Sequence, residues 1–364
     1  MTTLERPRSA PREQEAEALF KEARRRRRRR WTFAVCALAV SVTTLALLMA
    51  LGPFTSGPPA QKKGPSSSTG SSTQPPEIVA WSGRSRLVVM SSLNGHVLRT
   101  LARDVATYRG FPSLAVSASG SVYFDEGNSV VRVPLAGGKV AEVVQGRSPA
   151  LSPNGQFLAY VSGDAVGSSV QTTMAITVLD LVSGAQRSWQ NTVLNSSVED
   201  LSWSPDSRYV SFTSLTWGHA PPTPYQIPSY LILDSTAPSG SLSIARPIPL
   251  ATGVAWAGFL SQTAGNLEGV GVTQHARETV LDAVNAWSGQ IVKHLVTMRG
   301  VLATGNALDG PEGAIQVDGS EQNLLVASSG NGFGQLYRWS SGASGPTSIA
   351  RGLMRAAWVP VGVR

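Results

Sequence analysis

Six times along the chain an apolar strand, a tight turn containing glycine and a second strand follow one another, and a repeat of this kind limits the fold more than any other feature of the sequence. The copies are Leu87–Met90 turning at Asn94-Gly95, Val130–Val133 turning at Gly137-Gly138 and Ile176–Leu179 turning at Ser183-Gly184. They continue with Tyr230–Leu233 turning near Ser239-Gly240, Val280–Ala286 turning at Ser288-Gly289 and Gln335–Arg338 turning near Ser341-Gly342. Turns of this composition tolerate the positive φ that joins antiparallel strands tightly.

Ahead of each hairpin stands a short apolar run: Ile78–Trp81, Val122–Phe124, Phe157–Tyr160, Tyr209–Phe212, Gly269–Val272 and Leu324–Ala327. These runs predict strands buried on both faces. Ahead of those come strands ending in a turn signal, clearest at Ala150–Gly155 and Leu201–Asp206, weaker at Leu114–Ser117, Val254–Ala257 and Ile315–Asp318. Each unit therefore has four strands, A to D from the inside out. The first unit lacks strand A, and Ala356-Ala357-Trp358-Val359-Pro360 at the other end repeats the A pattern with no hairpin after it. The expectation is an all-β, six-bladed β-propeller over residues 77–364 whose C-terminal strand closes blade one, leaving no open end to the array. Trp81, Trp203, Trp256 and Trp358 recur at A or B positions and are predicted to be core.

Leu151-Ser152-Pro153-Asn154-Gly155-Gln156-Phe157-Leu158-Ala159-Tyr160 and Leu201-Ser202-Trp203-Ser204-Pro205-Asp206-Ser207-Arg208-Tyr209-Val210-Ser211-Phe212 resemble the WD40-like repeats of the TolB family. The resemblance covers residues 77–364 as a fold and implies a six-bladed domain. It carries no catalytic residues. TolB proteins have an extra N-terminal domain, whereas this chain begins differently.

Residues 31–51 form a run of 21 without a charge, enough helix to cross a hydrocarbon core of about 30 Å. Seven arginines, Arg24, Arg25, Arg26, Arg27, Arg28, Arg29 and Arg30, abut its N-terminal end, and the other flank has no charge before Lys62. Basic residues stay on the cytoplasmic side, which predicts a cytoplasmic tail (1–30), a transmembrane helix (31–51) in contact with membrane lipid, and an extracytoplasmic C-terminal domain. A cleaved secretory signal is the rival reading. The apolar run is longer than a signal core, and Pro53 follows the only small-residue exit at Ala50-Leu51-Gly52. Residues 52–76, rich in Pro, Gly and Ser without apolar periodicity, read as a disordered flexible linker.

Eleven Lys and Arg against five Glu lie in residues 1–30, while everything after Pro76 balances at eighteen basic and eighteen acidic side chains. The sequence pI near 10.0 thus belongs to the tail and linker, and nucleic acid is not an expected partner. Cys36, the only cysteine, lies in the apolar run, so the exported domain forms no internal disulfide. The four histidines are scattered singly; neither a metal site nor a cofactor is expected.

In such a propeller the B-to-C and D-to-A loops share one face and the A-to-B and C-to-D turns the other. The longer excursions, Ser162–Ala175, Gln190–Val198, Ser214–Ser229 and about Met298–Gly313, fall on the first, with Gly258–Leu267 as an A-to-B exception. Ser214–Ser229 holds Trp217, His219 and Tyr225 among prolines and is the candidate binding site for an envelope protein or ligand. The alternative is that these aromatics fold down over the blade's edge. Asp180, Asp200, Asp206 and Asp234 sit where Asp ordinarily caps turns. No G-x-S-x-G, H-E-x-x-H, P-loop or paired-cysteine motif occurs. The leading reading is a membrane-anchored binding scaffold and not an enzyme; the alternatives are a lactonase-like propeller hydrolase and a transmembrane sensor whose tail docks a cytoplasmic partner.

Overall fold

The computed structural model describes residues 76–359 apart from 84, 106–112, 164–173, 192–195, 219–224, 264, 276–277, 300–314, 318–322, 328–333 and 341–344. The tail, the candidate membrane helix and the linker up to residue 75 lie outside the described residues. Among the described residues no helix is long and apolar enough to cross a membrane.

The first strands are β1 (Glu77–Ser82), β2 (Arg86–Ser91) and β3 (Val97–Ala102), then β4 (Leu114–Val116), β5 (Ser121–Glu126), β6 (Ser129–Pro134) and β7 (Ala141–Gln145). Next come β8 (Arg147–Leu151), β9 (Phe157–Ser162), β10 (Ala175–Asp180), β11 (Gln186–Gln190), β12 (Ser196–Trp203), β13 (Tyr209–Gly218) and β14 (Tyr225–Asp234). A two-residue strand β15 (Gly240–Ser241) and a single 3-10 turn, Leu242–Ile244, precede β16 (Arg246–Pro247). The remainder are β17 (Val254–Thr263), β18 (Asn266–His275), β19 (Glu278–Asn285), β20 (Ile291–Arg299), β21 (Ile315–Val317), β22 (Asn323–Ala327), β23 (Gly334–Ser340) and β24 (Thr347–Trp358).

Hydrogen bonding joins these strands into five sheets. The second sheet is β4 to β7, the third β8 to β11 with β15 added at its edge, the fourth β12-β13-β14-β16 and the fifth β17 to β20. The first is seven-stranded, in the order β21-β22-β23-β24-β1-β2-β3. The expectation of six separate four-stranded sheets is thereby corrected to five. The physical reason lies in β24, a 12-residue strand with no loop inside it. Its first half pairs with β23 (Arg338↔Thr347 to Gly334↔Leu353), and its second half pairs with β1 (Ser82↔Leu353 to Ile78↔Trp358). The C-terminal segment therefore does pair with the first strand of the domain, and the outermost strand of the last hairpin runs on into that pairing without a break.

Apolar strands in the middle of each sheet carry the core. β1, β5 and β9 share one burial pattern, with four consecutive buried residues between partly buried ends, as strands covered on both faces require. Six hydrophobic clusters lie between successive strand groups. Trp81 and Val79 meet Phe124 and Val122; Tyr123 and Val130 meet Leu158 and Tyr160; Ile176 and Trp189 meet Phe212 and Leu233. Ile232 meets Trp256 and Phe259, Val270 and Leu281 meet Trp339, and Leu336 and Ile349 meet Val88 and Met90. The last of these packs the two halves of the seven-stranded sheet against each other, so that sheet folds back on itself at β24. Neighbouring inner strands run β24, β4, β8, β12, β17, β21 and back to β24, a closed circuit. The fold is an all-β propeller.

All four tryptophans predicted to be core are buried. Trp203 Nε1 donates to Ala150 O on β8 at 3.0 Å, and Trp256 Nε1 to Ser211 Oγ on β13 at 3.1 Å, so the indoles also bridge adjacent sheets. A Cβ at Gly269 would overlap the Trp256 ring, which is why a glycine stands there.

Candidate functional site

The turns that carry the repeat signature are structural. Ser204 Oγ accepts from Tyr209 N at 2.8 Å and donates to Asp206 Oδ1, which in turn accepts from Arg208 N at 3.1 Å. Ser152, Asn154, Gln156 and Phe157 reproduce the arrangement residue for residue. Asp180 Oδ1 accepts from Val182 N and Ser183 N, and these backbone donors hold its carboxyl below the usual carboxylate range. Such carboxylates are spent on turns, as their positions suggest.

The excursion Ser214–Ser229 is not a loop over most of its length. β13 and β14 pair without a bulge from Tyr209↔Asp234 to Gly218↔Tyr225, leaving only residues 219–224 between them. Its polar, proline-containing composition reads as loop, yet the ladder is made by the backbone and tolerates Pro228 opposite Leu215. Trp217 pairs with Gln226 and Tyr225 with Gly218, so positions 217 and 225 fall on alternate faces of the ribbon; His219 lies outside the described residues. Strand β12 accompanies the ribbon as far as Ser196↔Thr216. On the other side β16 covers only Leu231 and Ile232, so β14 from Tyr225 to Ser229 has no strand beside its outer edge among the described residues. Gly258–Leu267 is likewise mostly paired strand, with Thr263 opposite Asn266.

At the opposite end of the same ribbon, nine residues or about 30 Å away, lies a groove of about 380 Å³ lined by Arg208, Tyr209, Ile232, Asp234, Ile244, Arg246 and Trp287. Arg208 Nη2 and Nε both donate to Asp234 Oδ2, at 2.8 and 3.2 Å. Burial pushes the Asp234 carboxyl up, but the hydrogen bonds from Arg208 and Thr236 outweigh it and leave the group below the usual range. The Arg208 guanidinium lies 5.0 Å from the centre of the Tyr209 ring, and Tyr209 meets Trp287 edge to face at 5.4 Å. Trp287 arrives from the β19–β20 turn of the fifth sheet, where Asn285 Oδ1 accepts from Trp287 N and Ser288 N. Gly289 ends that turn at φ +69, and a Cβ there would overlap Pro249 O. Arg246 is exposed and has no ion pair among the described residues. The groove offers an aromatic and aliphatic floor with one uncompensated cation. Its residues come from two sheets, and no local pattern marks them.

Among the described residues no group of His, Cys, Asp and Glu is placed to hold a metal ion.

No protein-family profile matches the chain, and no curated protein sequence does. Solved structures do. TolB from Acinetobacter baumannii superposes with a TM-score of 0.51 at 13% identity, over 78% of this chain and 67% of that one. The tricorn protease follows with a TM-score of 0.45 at 12% identity over 78% of this chain and 30% of its own. A nidogen/laminin complex gives 0.49 at 12% identity, over 78% and 98%. At such identities the likeness shows the fold alone: the described residues form a TolB-like β-propeller.

Proposed function

We propose that the chain is a membrane-anchored, extracytoplasmic binding scaffold whose partner, an envelope protein or ligand, engages the tip of the β13–β14 ribbon through Trp217, His219 and Tyr225. One observation carries the reading. The fourth sheet extends a ten-pair ladder, and the outer edge of β14 from Tyr225 to Ser229 has no neighbouring strand among the described residues. An open strand edge is where an extended segment of another protein adds by backbone pairing, with flanking side chains setting specificity. The seven-arginine run and the 21-residue apolar segment supply the anchor and orientation in this reading, with lipid contact through residues 31–51.

Within the same proposal the propeller has six blades. The seven-stranded sheet then counts as two four-stranded blades that share β24, a view supported by the six inter-group clusters and the circuit of six inner strands.

A photo-crosslinking residue at position 219 of the full chain in intact cells tests the site. The expected outcome is one discrete adduct, lost in Trp217→Ala and Tyr225→Ala and kept in Arg246→Glu at the far groove. An adduct that survives both aromatic changes and disappears with Arg246→Glu moves the site to the groove. External protease on intact cells should remove the domain while sparing the tail; a fully protected domain refutes the orientation.

A further inference from the structure

Outside the proposed binding surface, the outer strands of the fifth sheet hold a chain of three side chains. Asp282 on β19 is buried, its side chain 11% exposed, and its Oδ1 lies 2.9 Å from His294 Nδ1 on β20. The other ring nitrogen, His294 Nε2, lies 3.1 Å from Thr297 Oγ1. His294 and Thr297 are exposed.

Residues three apart on a regular strand point to opposite faces. Here a bulge brings them together: Leu281 pairs with Val296 and Asp282 with His294, so Leu295 is unpaired and the alternation shifts by one. The device recurs. β7 has the same bulge, with Val130↔Val144 followed by Val131↔Glu142, and there Gln145 Nε2 donates to Glu142 Oε1. In β3 the corresponding rungs are Leu87↔Ala102 and Val88↔Thr100, and in β24 they are Gly334↔Leu353 and Gln335↔Arg351.

The position of Asp282 is thus held by Val88, Val131 and Gln335 elsewhere, and that of His294 by Thr100, Glu142 and Arg351. The bulged outer strand forms with any of these, so the fold does not call for an acid, an imidazole and a hydroxyl in series. Burying Asp282 also carries a desolvation cost that Val88 and Val131 avoid.

The geometry points to an acyl-transfer site in which Thr297 is the nucleophile, His294 the general base and Asp282 the positioning residue, taking its acyl group from an activated carboxylic ester. The polarity is the one such chemistry needs: carboxylate on Nδ1, hydroxyl on Nε2. With the Nδ1 proton directed at Asp282, Nε2 is free to accept. Thr297 Oγ1 attacks the ester carbonyl carbon and its proton passes to His294 Nε2. The tetrahedral adduct then expels the alcohol or phenol, which takes that proton from His294, leaving an ester on Thr297. Water, deprotonated by the same imidazole, cleaves that ester to a carboxylic acid and restores the hydroxyl. The developing oxyanion is solvated by water at this open site.

The test is incubation of the purified full chain with p-nitrophenyl acetate, following p-nitrophenol release and mapping acetylation by peptide mass spectrometry. Acetyl on Thr297 is expected, absent in Thr297→Ala and retained in Thr297→Ser. His294→Ala should slow acylation by about a hundredfold or more, with partial rescue by added imidazole, which a merely structural histidine would not give. Asp282→Asn should slow it comparably at an unchanged melting temperature; if that buried change unfolds the protein, the two exposed positions still decide. Acetylation confined to lysines such as Lys293, or a Thr297 adduct indifferent to His294→Ala, overturns the proposal.

Discussion

Removing residues 354–364 is the sharpest perturbation of this fold, because it takes away the half of β24 that pairs with β1. Trp358 is 9% exposed and lies in the cluster with Ile78, Ala80, Val88 and Met90. A tryptophan of that burial removes about 150–250 Å² from water, or about 4–6 kcal/mol at roughly 25 cal/mol per Å². Ala356 and Ala357 are also buried and add about 1 kcal/mol each. The backbone groups of β1 that pair with Ala356, Ala357 and Trp358 exchange those partners for water, at about 0.5–1.5 kcal/mol apiece. Together these effects reach about 8 kcal/mol, trimmed to roughly 6 by compactness of the unfolded chain. Against a total of about 5–15 kcal/mol this is a large share of the stability, and at the low end of that range all of it. Tryptophan fluorescence during thermal unfolding of the full chain should therefore show the transition lost, or lowered by about 12–24 °C. A synthetic peptide of residues 354–364, added in excess, should restore part of it. A truncated protein melting within about 2 °C of the intact one would refute the view that β24 completes the first sheet.

Three further outcomes follow from side-chain geometry. Trp203→Phe breaks the bond to Ala150 O and leaves that carbonyl buried, whereas Trp358 Nε1 is buried without a partner among the described residues; chemical denaturation should find Trp358→Phe the milder change by about 1 kcal/mol or more. Ser204→Ala removes both the Tyr209 and Asp206 hydrogen bonds and should cost about 1–2 kcal/mol in the same assay, with Ser152→Ala matching it at the equivalent turn. Asp234 has a folded pKa below its unfolded one, so its stabilisation is present above the ordinary carboxylate range and is lost as pH falls through the folded value. Asp234→Asn should flatten that acid limb in denaturation curves taken across pH, and since the carboxylate is about a third exposed the loss at neutral pH should stay under about 1 kcal/mol.

What could be read in advance was whatever the chain decides locally. The uninterrupted apolar runs at Ile78–Trp81 and Phe157–Tyr160 announce strands covered on both faces, and the Ser-Pro-Asn and Ser-Pro-Asp turns carry their own hydrogen-bond partners within five residues. The pairing of Ala356–Trp358 with β1 was legible because a strand motif stood without its hairpin. The number of sheets was not, since nothing in the residues around Leu353 tells a continuous strand from two strands joined by a turn. The ribbon beyond Ser214 was hidden for a related reason: backbone groups pair whatever side chains they carry, so threonine, serine and Pro228 disguised a ladder as a loop. The groove around Arg208, Arg246 and Trp287 needs two sheets to exist, and the meeting of His294 with Thr297 needs a bulge that no residue type announces.

The position of β1 sets how the domain carries mechanical load. Six rungs tie it to β2 on one side and four to β24 on the other. A pull on residue 76 along the strand would strain all of these rungs in shear at once instead of unzipping them in turn. An entry strand clamped on both flanks makes the N-terminal end of the domain a firm handle, and the C-terminal strand, though last in the chain, is half of the grip.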